Sequence, residues 1–187
     1  MTLPRLGSLV SLPVLERPDL VAAPVAAMLA TWPHAEQVAV VEIDPELADT
    51  AAMTQAYALS LLDMANCVLV GGARAGDERV AACIVRADTR ADVNRVVRRL
   101  LDVRKASFLP VDQATAESRM QYGGITPVGL PAHWRLLVDS RIPEIDVAVL
   151  GSGLRRSKLL LPGHLVAELP GAEVVAGLAA PVAEPAP

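Results

Sequence analysis

The sequence predicts an α+β fold with a mixed β-sheet or barrel-like core and flanking helices. Short runs rich in Val, Leu and Ala recur along the chain, and they outnumber the segments whose apolar residues follow helical spacing. The two kinds of segment do not alternate strictly, which argues against a doubly wound parallel sheet. The length of 187 residues, with 52% hydrophobic residues, suffices for one domain with a substantial core.

The N-terminal part of the chain is predicted to be a lead-in followed by one helix. Pro18 and Asp19 are typical of a first helical turn, and an apolar stripe continues from there to Leu29. Pro33 is expected to end the helix, because proline cannot continue the hydrogen-bond ladder. Residues 1–35 are therefore assigned to a helical lead-in that packs on the main domain.

The central part of the chain predicts short strands joined by turns and helices. The run Glu36–Ile43 is typical of a buried strand. Asp49 or Thr50 is expected to cap a helix that ends near Leu61, and Thr89 is expected to begin another helix. The other predicted elements are a hairpin of Asn66–Val70 and Arg79–Val85 with a loose Gly-rich turn, a helix at Asp112–Met120, and strands at Ala106–Leu109, Arg135–Val138, Val147–Leu150, Lys158–Leu161 and Ala172–Val175.

These elements are assigned to two further regions. Residues 36–175 form the main domain. Residues 176–187 are predicted to be a disordered tail, because they are rich in Ala and Pro and lack any periodicity.

The charge distribution limits the kinds of partner. The chain has 17 basic and 21 acidic residues, and this net charge of −4 argues against a protein that binds DNA broadly. Residues 86–105 nevertheless carry a local charge of +4, and residues 155–158 one of +3. Such clusters fit the phosphates of a single-stranded RNA end, and a solubilising surface is the alternative.

Several other classes are disfavoured by the sequence. The longest charge-free apolar stretch, Leu20–Pro33, is too short to span a bilayer, and the run Leu6–Leu15 is not followed by a cleavage site. We therefore expect a cytoplasmic protein without membrane contact. Cys67 and Cys83 fit reduced core thiols, and the scattered histidines give no zinc site. No nucleotide-binding fingerprint is present, and no cofactor is expected.

The most distinctive motif is YGGITPVG, from Tyr122 to Gly129. Three glycines and one proline in eight residues fix a special backbone path. Adjacent glycines let successive backbone N–H groups point toward one anion, which is the chemistry of an oxyanion site. The alternative is an ordinary surface turn.

With this loop, four further motifs make the chain resemble the YbaK/EbsC family, which comprises free-standing aminoacyl-tRNA deacylases and the prolyl-tRNA synthetase editing domain. The similarity covers about residues 36–175, and the Gly-Gly-Ile-Thr-Pro-x-Gly loop is its most specific part. The four motifs are Glu42–Pro45, Lys105–Pro110, Leu137–Asp139 and Gly151–Arg155.

The resemblance implies hydrolysis of the ester that joins a wrong amino acid to the 3′-terminal adenosine of a tRNA. The family's Gly-Gly loop clamps the ester carbonyl, and it corresponds here to Gly123 and Gly124. Preorganised N–H donors stabilise the tetrahedral oxyanion as its charge develops. In the family the nucleophile is usually a water, or it acts through the ribose hydroxyl of the substrate. No protein nucleophile is therefore required.

The remaining site residues are also assigned through the resemblance. Tyr122 is expected to stack on or contact the substrate. The predicted partner is the 3′ end of a mischarged tRNA. The residues that would shape the loop or border the pocket are Thr126, Pro127, Gly129, Ser152, Gly153 and Arg155.

Three positions depart from the family's pattern. Asn66 occupies the place of the usual lysine, Val41 that of a tyrosine in some members, and Lys158 that of an aspartate in some members. Asn66 can donate a hydrogen bond, but it brings no charge. Lys158 would restore a positive charge from the opposite wall of the pocket. The favoured alternative is that Lys158 is an exposed lysine at a strand end.

We therefore expect an editing deacylase that serves translation fidelity, with Gly123, Gly124 and Asn66 at its catalytic centre. A non-catalytic module that keeps the pocket for a tRNA end, a nucleotide or a protein partner is the alternative. A hydrolase of another small ester or amide is the third possibility. A catalytic Cys67 is disfavoured, because neighbours on a strand point to opposite faces and Cys67 should face the core if Asn66 faces the pocket.

Overall fold

The computed structural model describes residues 2–182, which form eleven strands and five α-helices. The strands are β1 (Leu12–Pro13), β2 (Ala39–Glu42), β3 (Ala65–Arg74), β4 (Asp77–Arg86), β5 (Thr89–Ala91), β6 (Ala106–Phe108), β7 (Arg135–Asp139), β8 (Ala148–Gly151), β9 (Ser157–Leu161), β10 (Ala172–Val175) and β11 (Ala179–Pro181). The helices are α1 (Ala23–Leu29), α2 (Thr50–Ala56), α3 (Arg98–Leu101), α4 (Val111–Ser118) and α5 (Gly163–Val166). No helix among these residues is long and apolar enough to cross a membrane.

The strands form three sheets, and the predicted mixed α+β fold is confirmed. An antiparallel sheet has the order β1-β2-β9-β8, and a mixed sheet has the order β10-β7-β4-β3-β6. In the mixed sheet, β7 pairs in parallel with both β4 and β10, whereas β3 pairs antiparallel with β4 and β6. A third, two-stranded sheet joins β11 to β5. Within residues 2–182 the sheets remain open and do not close into a barrel.

The alternation of side chains along β3 and β4 separates two apolar clusters. Ala65, Leu69 and Ile84 face the main core, which they share with residues of β8 and β9 such as Leu150 and Leu159. The intervening residues of the same two strands face the opposite side, where the π-helical turn Val93–Val97 and α3 cover them. The mixed sheet is thus buried on both faces, which explains why its strands are nearly continuously apolar.

The β3–β4 hairpin is longer and tighter than the sequence predicts. Gly71 and Gly72 lie inside β3, and the turn consists of Ala75 and Gly76, both with positive φ, as a two-residue hairpin turn requires. A Cβ at Gly72 would lie 2.5 Å from the carbonyl oxygen of Lys105. The glycines therefore allow the segment before β6 to pack closely on β3, and the expected loose turn is wrong.

Helix boundaries also differ from the predictions for local reasons. Pro18 starts a single 3-10 turn, and α1 begins only at Ala23, with Pro24 in its first turn. The helix predicted to reach Leu61 ends at Ala56, shortly before Ala58 takes a positive φ of 54°. The other helix is capped by Asp92, three residues later than predicted, because Thr89 belongs to β5. Asp92 accepts a hydrogen bond from the backbone N–H of Arg95.

The predicted disordered tail is wrong for part of its length. Ala179–Pro181 forms β11 and pairs with β5, while residues 183–187 lie outside the described residues. Asp139 at the end of β7 explains this order. Its fully buried carboxylate accepts a hydrogen bond from the N–H of Ala179 at 2.9 Å and pairs with Arg141 at 3.0 Å. Arg141 in turn donates to the Ala179 carbonyl at 3.1 Å.

We expect Asp139→Ala to lower the free energy of unfolding by about 3 kcal/mol, because the Arg141 guanidinium loses its carboxylate partner and β11 loses its anchor. Asp19→Ala is the matched control. Asp19 forms an ion pair with Arg17 on the surface, where solvent screens it, and its loss should leave the free energy of unfolding nearly unchanged. Urea unfolding measures both values, and equal small losses would contradict the anchoring role of Asp139.

Candidate active site

A cavity of about 500 Å³ lies where the mixed sheet meets the antiparallel sheet. It borders the start of α2, the first half of β3, the end of β8, the start of β9, and the Gly loop, Tyr122–Gly129. Its polar or charged lining side chains are Asp49, Thr50, Asn66, Tyr122 and Lys158. Most of the other lining side chains are aliphatic, including those of Met64, Leu69, Leu109, Ile125 and Leu150.

The cavity exists because β3 is only partly covered by its second neighbour. β6 pairs with β3 from Val70 to Gly72, and the other end of β3 meets β8 only at the bridge between Met64 and Val149. The strand edge between these points therefore faces the cavity. Both Asn66 and Cys67 border it. The side chain of Cys67 packs against the main core, as predicted for a neighbour of Asn66 on the same strand.

Cys67 nevertheless lacks the character of a nucleophile. Its side chain packs against the main core, and burial raises the pKa of its thiol far above the usual range. The buried thiol of Cys83 adds to this shift. Because the thiolate is the reactive form, a thiol held protonated in this way does not attack an ester.

Lys158 is the most unusual residue of the cavity, and the alternative of an exposed strand-end lysine is wrong. Its relative exposure is only 6%. Its ammonium group donates to the carbonyl oxygen of Ala48 at 3.0 Å and to that of Gly123 at 3.4 Å. An ammonium group has three N–H donors, so one remains for a molecule in the cavity.

The sheet register explains how Lys158 reaches this place. It lies opposite Val41 of β2 on one side and opposite Gly151 of β8 on the other. Gly151 has no side chain, and Val41 has a small one. These two neighbours leave room for the lysine stem between the turn before α2 and the Gly loop.

The electrostatics of Lys158 follow from its surroundings. Burial is the main cause that lowers the pKa of its ammonium group from 10.5 to about 8. The positive charge of Arg155 lowers it further, and the carboxylate of Asp49 partly opposes the shift. At neutral pH most molecules therefore carry a buried, partly solvated cation next to the Gly loop.

The pH dependence of stability should reveal this cation. The unfolded chain keeps the Lys158 proton up to about pH 10.5, whereas the folded chain releases it near pH 8. Between these values the unfolded state binds more protons, so this group makes the free energy of unfolding rise with pH. Lys158→Met should lack that component. Urea unfolding of both proteins at pH 7 and pH 9.5 measures it, and equal pH dependences would contradict the buried cation.

Asn66 lines the cavity from β3, whereas Lys158 lines it from β9. Its side-chain oxygen accepts a hydrogen bond from the hydroxyl of Thr50, the first residue of α2, at 3.2 Å. This contact turns the amide oxygen toward α2. The amide NH₂ group makes no hydrogen bond within residues 2–182, so it is available to a ligand.

The Gly loop presents one free donor rather than two. The N–H of Gly124 closes a turn with the carbonyl of Gln121 at 2.9 Å, and the Gly124 carbonyl accepts from Gly153 at 2.7 Å. The N–H of Gly123, which has a φ of 79°, donates no hydrogen bond within the described residues. In this conformation, the predicted clamp of Gly123 and Gly124 is therefore reduced to Gly123.

Sequence reasoning missed Gln121, which joins the two loops of the site. Its N–H donates to the Gly153 carbonyl at 2.9 Å, and its side-chain oxygen accepts from the N–H of Arg155 at 2.8 Å. A Cβ at Gly123 would lie 2.5 Å from Nη1 of Arg155, so the guanidinium lies directly against the loop. Arg155 also contacts Asp49 at 3.7 Å. The only sequence signal for Gln121 was its place next to Tyr122.

Seven predicted site residues are not part of the cavity lining. Gly124 and Arg155 adjoin the lining residue Gly123. Thr126 is fully buried, and its hydroxyl has no partner in the described residues. Ser152 is also fully buried and shares hydrogen bonds with Ser157. The other three pack elsewhere: Gly153 against Ala22, Gly129 against Pro24, and Pro127 beside a separate depression near Trp134.

The two basic clusters also separate in space. Lys158 lines the cavity and Arg155 lies against the lining residue Gly123, but no residue between 86 and 105 lines it. The π-helical turn and α3 of that segment cover the opposite face of the mixed sheet. Arg86 is paired with Asp88 at 2.7 Å. A role in substrate contact at the cavity is therefore restricted to the second cluster.

Comparison with known proteins identifies the family. The model of the family described as "Aminoacyl-tRNA editing domain" matches residues 44–168, which include every lining residue of the cavity and the Gly loop. The chain belongs to the aminoacyl-tRNA editing domain family. The resemblance predicted from the sequence is thereby confirmed. Among curated proteins, none matches this member of the family.

Solved structures share the fold of this editing domain. One, proposed to be a trans-editing enzyme for prolyl-tRNA synthetase, has 18% identity and a TM-score of 0.70, with 82% of this chain and 93% of that chain covered. A scaffold protein used for computational epitope grafting has 20% identity and a TM-score of 0.70, with 83% and 95% covered. The hypothetical protein APE2540 has 19% identity and a TM-score of 0.66, with 75% and 90% covered.

Proposed function

We propose that this editing domain hydrolyses the ester of mischarged aminoacyl-tRNA at the 3′-terminal adenosine, and that Lys158 supplies the positive charge of its active site. The observation that carries the proposal is the buried ammonium group of Lys158, hydrogen-bonded to Gly123. By the resemblance, Asn66 holds the place of the usual lysine. Lys158 enters the same cavity from β9 and would replace the missing charge.

The chemistry requires stabilisation of one developing negative charge. Water adds to the ester carbonyl carbon, the carbonyl oxygen becomes an oxyanion, and the bond to the ribose oxygen then breaks as that oxygen gains a proton. The third N–H of Lys158 and the free N–H of Gly123 are the donors for the oxyanion. The amide NH₂ of Asn66 is a further neutral donor on the facing strand.

The lining favours an amino acid with an apolar side chain. Most of the lining is apolar, including Met64, Leu69, Leu109 and Ile125, and a charged side chain among these residues would lose its hydration. We therefore expect esters of apolar amino acids to be hydrolysed in preference to those of Asp, Glu, Lys or Arg.

The test is release of the amino acid from a panel of mischarged tRNAs, with the protein in excess over tRNA. Faster release than in buffer from at least one apolar aminoacyl-tRNA is expected. If none of the panel is hydrolysed, the deacylase proposal fails.

A non-catalytic binding module is the second candidate. The hydrogen bond from Gly124 N–H to Gln121 favours it, because that bond removes one of the two expected clamp donors. In that case the protein binds tRNA in filter-binding experiments but releases no amino acid from any member of the panel.

A further inference from the structure

The mouth of the cavity carries two exposed aromatic rings. Phe108 at the end of β6 is 67% exposed, and Tyr122 before the Gly loop is 64% exposed. Aromatic residues form only 3% of the chain, and Phe108 is its single phenylalanine. Two exposed rings at one cavity are therefore a concentration that packing of the domain does not explain.

Both rings stand on well-defined backbone. Phe108 pairs with Val70 of β3, and the next residue, Leu109, donates a backbone hydrogen bond to Leu69 at 2.9 Å. Tyr122 lies inside the turn that Gln121 and Gly124 close. Neither ring pairs with another aromatic ring within residues 2–182. Their high exposure leaves much of each ring accessible to a ligand.

Cationic groups lie beside the rings. The guanidinium of Arg155 lies against Gly123, directly after Tyr122, with about a third of its side chain exposed. Lys158 lies deeper in the same cavity. Flat apolar faces next to a cation match a nucleotide, in which a base and a phosphate are a few ångströms apart. An apolar peptide would match the rings but not the adjacent positive charge.

We propose that Phe108 and Tyr122 form a stacking site for the unpaired terminal adenine of the tRNA 3′ end, with Arg155 next to the adjoining phosphate. This inference rests on the proposed function and adds to it the part of the protein that recognises the nucleic acid. Stacking on the rim would hold the ribose ester over the cavity while the aminoacyl group enters it. Stacking is tolerant of sequence, so the site reads the presence of a base more than its identity.

The test measures binding of two uncharged RNA minihelices, one with a complete CCA end and one that lacks the terminal adenosine. Fluorescence anisotropy at low salt gives Kd for the wild type, Phe108→Ala, Phe108→Trp and the control Val174→Ala, which alters another exposed apolar residue, on β10. Circular dichroism checks that each variant is folded.

We expect removal of the terminal adenosine to weaken binding to the wild type about tenfold, and Phe108→Ala to weaken binding of the complete minihelix by a similar factor. Phe108→Ala should then be nearly insensitive to the missing adenosine, while Phe108→Trp and Val174→Ala should behave as the wild type. Unchanged binding by Phe108→Ala, or the same adenosine dependence in wild type and Phe108→Ala, would overturn the proposal. Because the RNA carries no amino acid, these outcomes do not depend on hydrolysis. If the protein shows this binding pattern but no deacylation, only the proposed function is refuted.

Discussion

Lys158→Met should slow deacylation by about a hundredfold, the usual effect of removing one oxyanion donor. Methionine keeps an apolar stem beside Val41 but removes the ammonium group that contacts Ala48 and Gly123. The variant should be at least as stable as the wild type. Burial of the cation costs up to about 3 kcal/mol at neutral pH, judged from the lowered pKa of Lys158.

Single-turnover hydrolysis and urea unfolding at pH 7 measure the two effects. Lys105→Met is the matched control, because Lys105 is the only other lysine of the chain and is exposed away from the cavity. It should keep both the rate and the stability of the wild type. A hundredfold loss of rate in a stable protein is the signature of a functional cation, whereas an unchanged rate in Lys158→Met would refute its role.

Gly124→Val should also abolish deacylation, but through the structure of the loop. A Cβ at Gly124 would lie 2.6 Å from the backbone carbon and oxygen of Leu154, and neither atom can give way alone. The loop must therefore separate from the Gly151–Arg155 segment. That movement breaks the two hydrogen bonds that Gly153 makes with Gly124 and Gln121. We expect a loss of about 2–4 kcal/mol in the free energy of unfolding, the range for overpacking together with lost buried hydrogen bonds.

Thermal unfolding and the deacylation assay test this expectation. Ala116→Val on the exposed side of α4 introduces the same side chain without a steric conflict, and it should cost only a few tenths of a kcal/mol. If Gly124→Val were as stable and as active as Ala116→Val, the close approach of the two loops would not be required.

The strands were largely predictable because their signal is local. Short apolar runs, several of them β-branched, place β3, β4, β7, β8 and β9 within a few residues of their observed bounds. The errors occur where contacts with residues far away in the sequence determine the local structure. Gly71 and Gly72 look like a turn until Leu109 and Lys105 pack on them. The tail residues 179–181 look disordered until Asp139 binds them.

The candidate site was predictable only in part for the same reason. The Gly loop, which includes Tyr122, was recognisable from its sequence motif. The structure brings four predicted residues to one cavity, namely Tyr122, Gly123, Asn66 and Lys158. The position of Lys158 could not be read from its own strand, since its burial depends on the turn at Ala48, 110 residues earlier. The hydrogen bond that occupies Gly124 N–H depends equally on how the loop folds back on Gln121.

Moving the lysine across the cavity tests the central claim most directly. Single-turnover deacylation of the best tRNA of the panel is measured for the wild type, Lys158→Met, Asn66→Lys and the double variant. If the cavity needs one positive charge, Lys158→Met is slow, and adding Asn66→Lys raises the rate at least tenfold above that of Lys158→Met alone. Equal rates in all four proteins would contradict the claim that Lys158 supplies the charge that Asn66 does not.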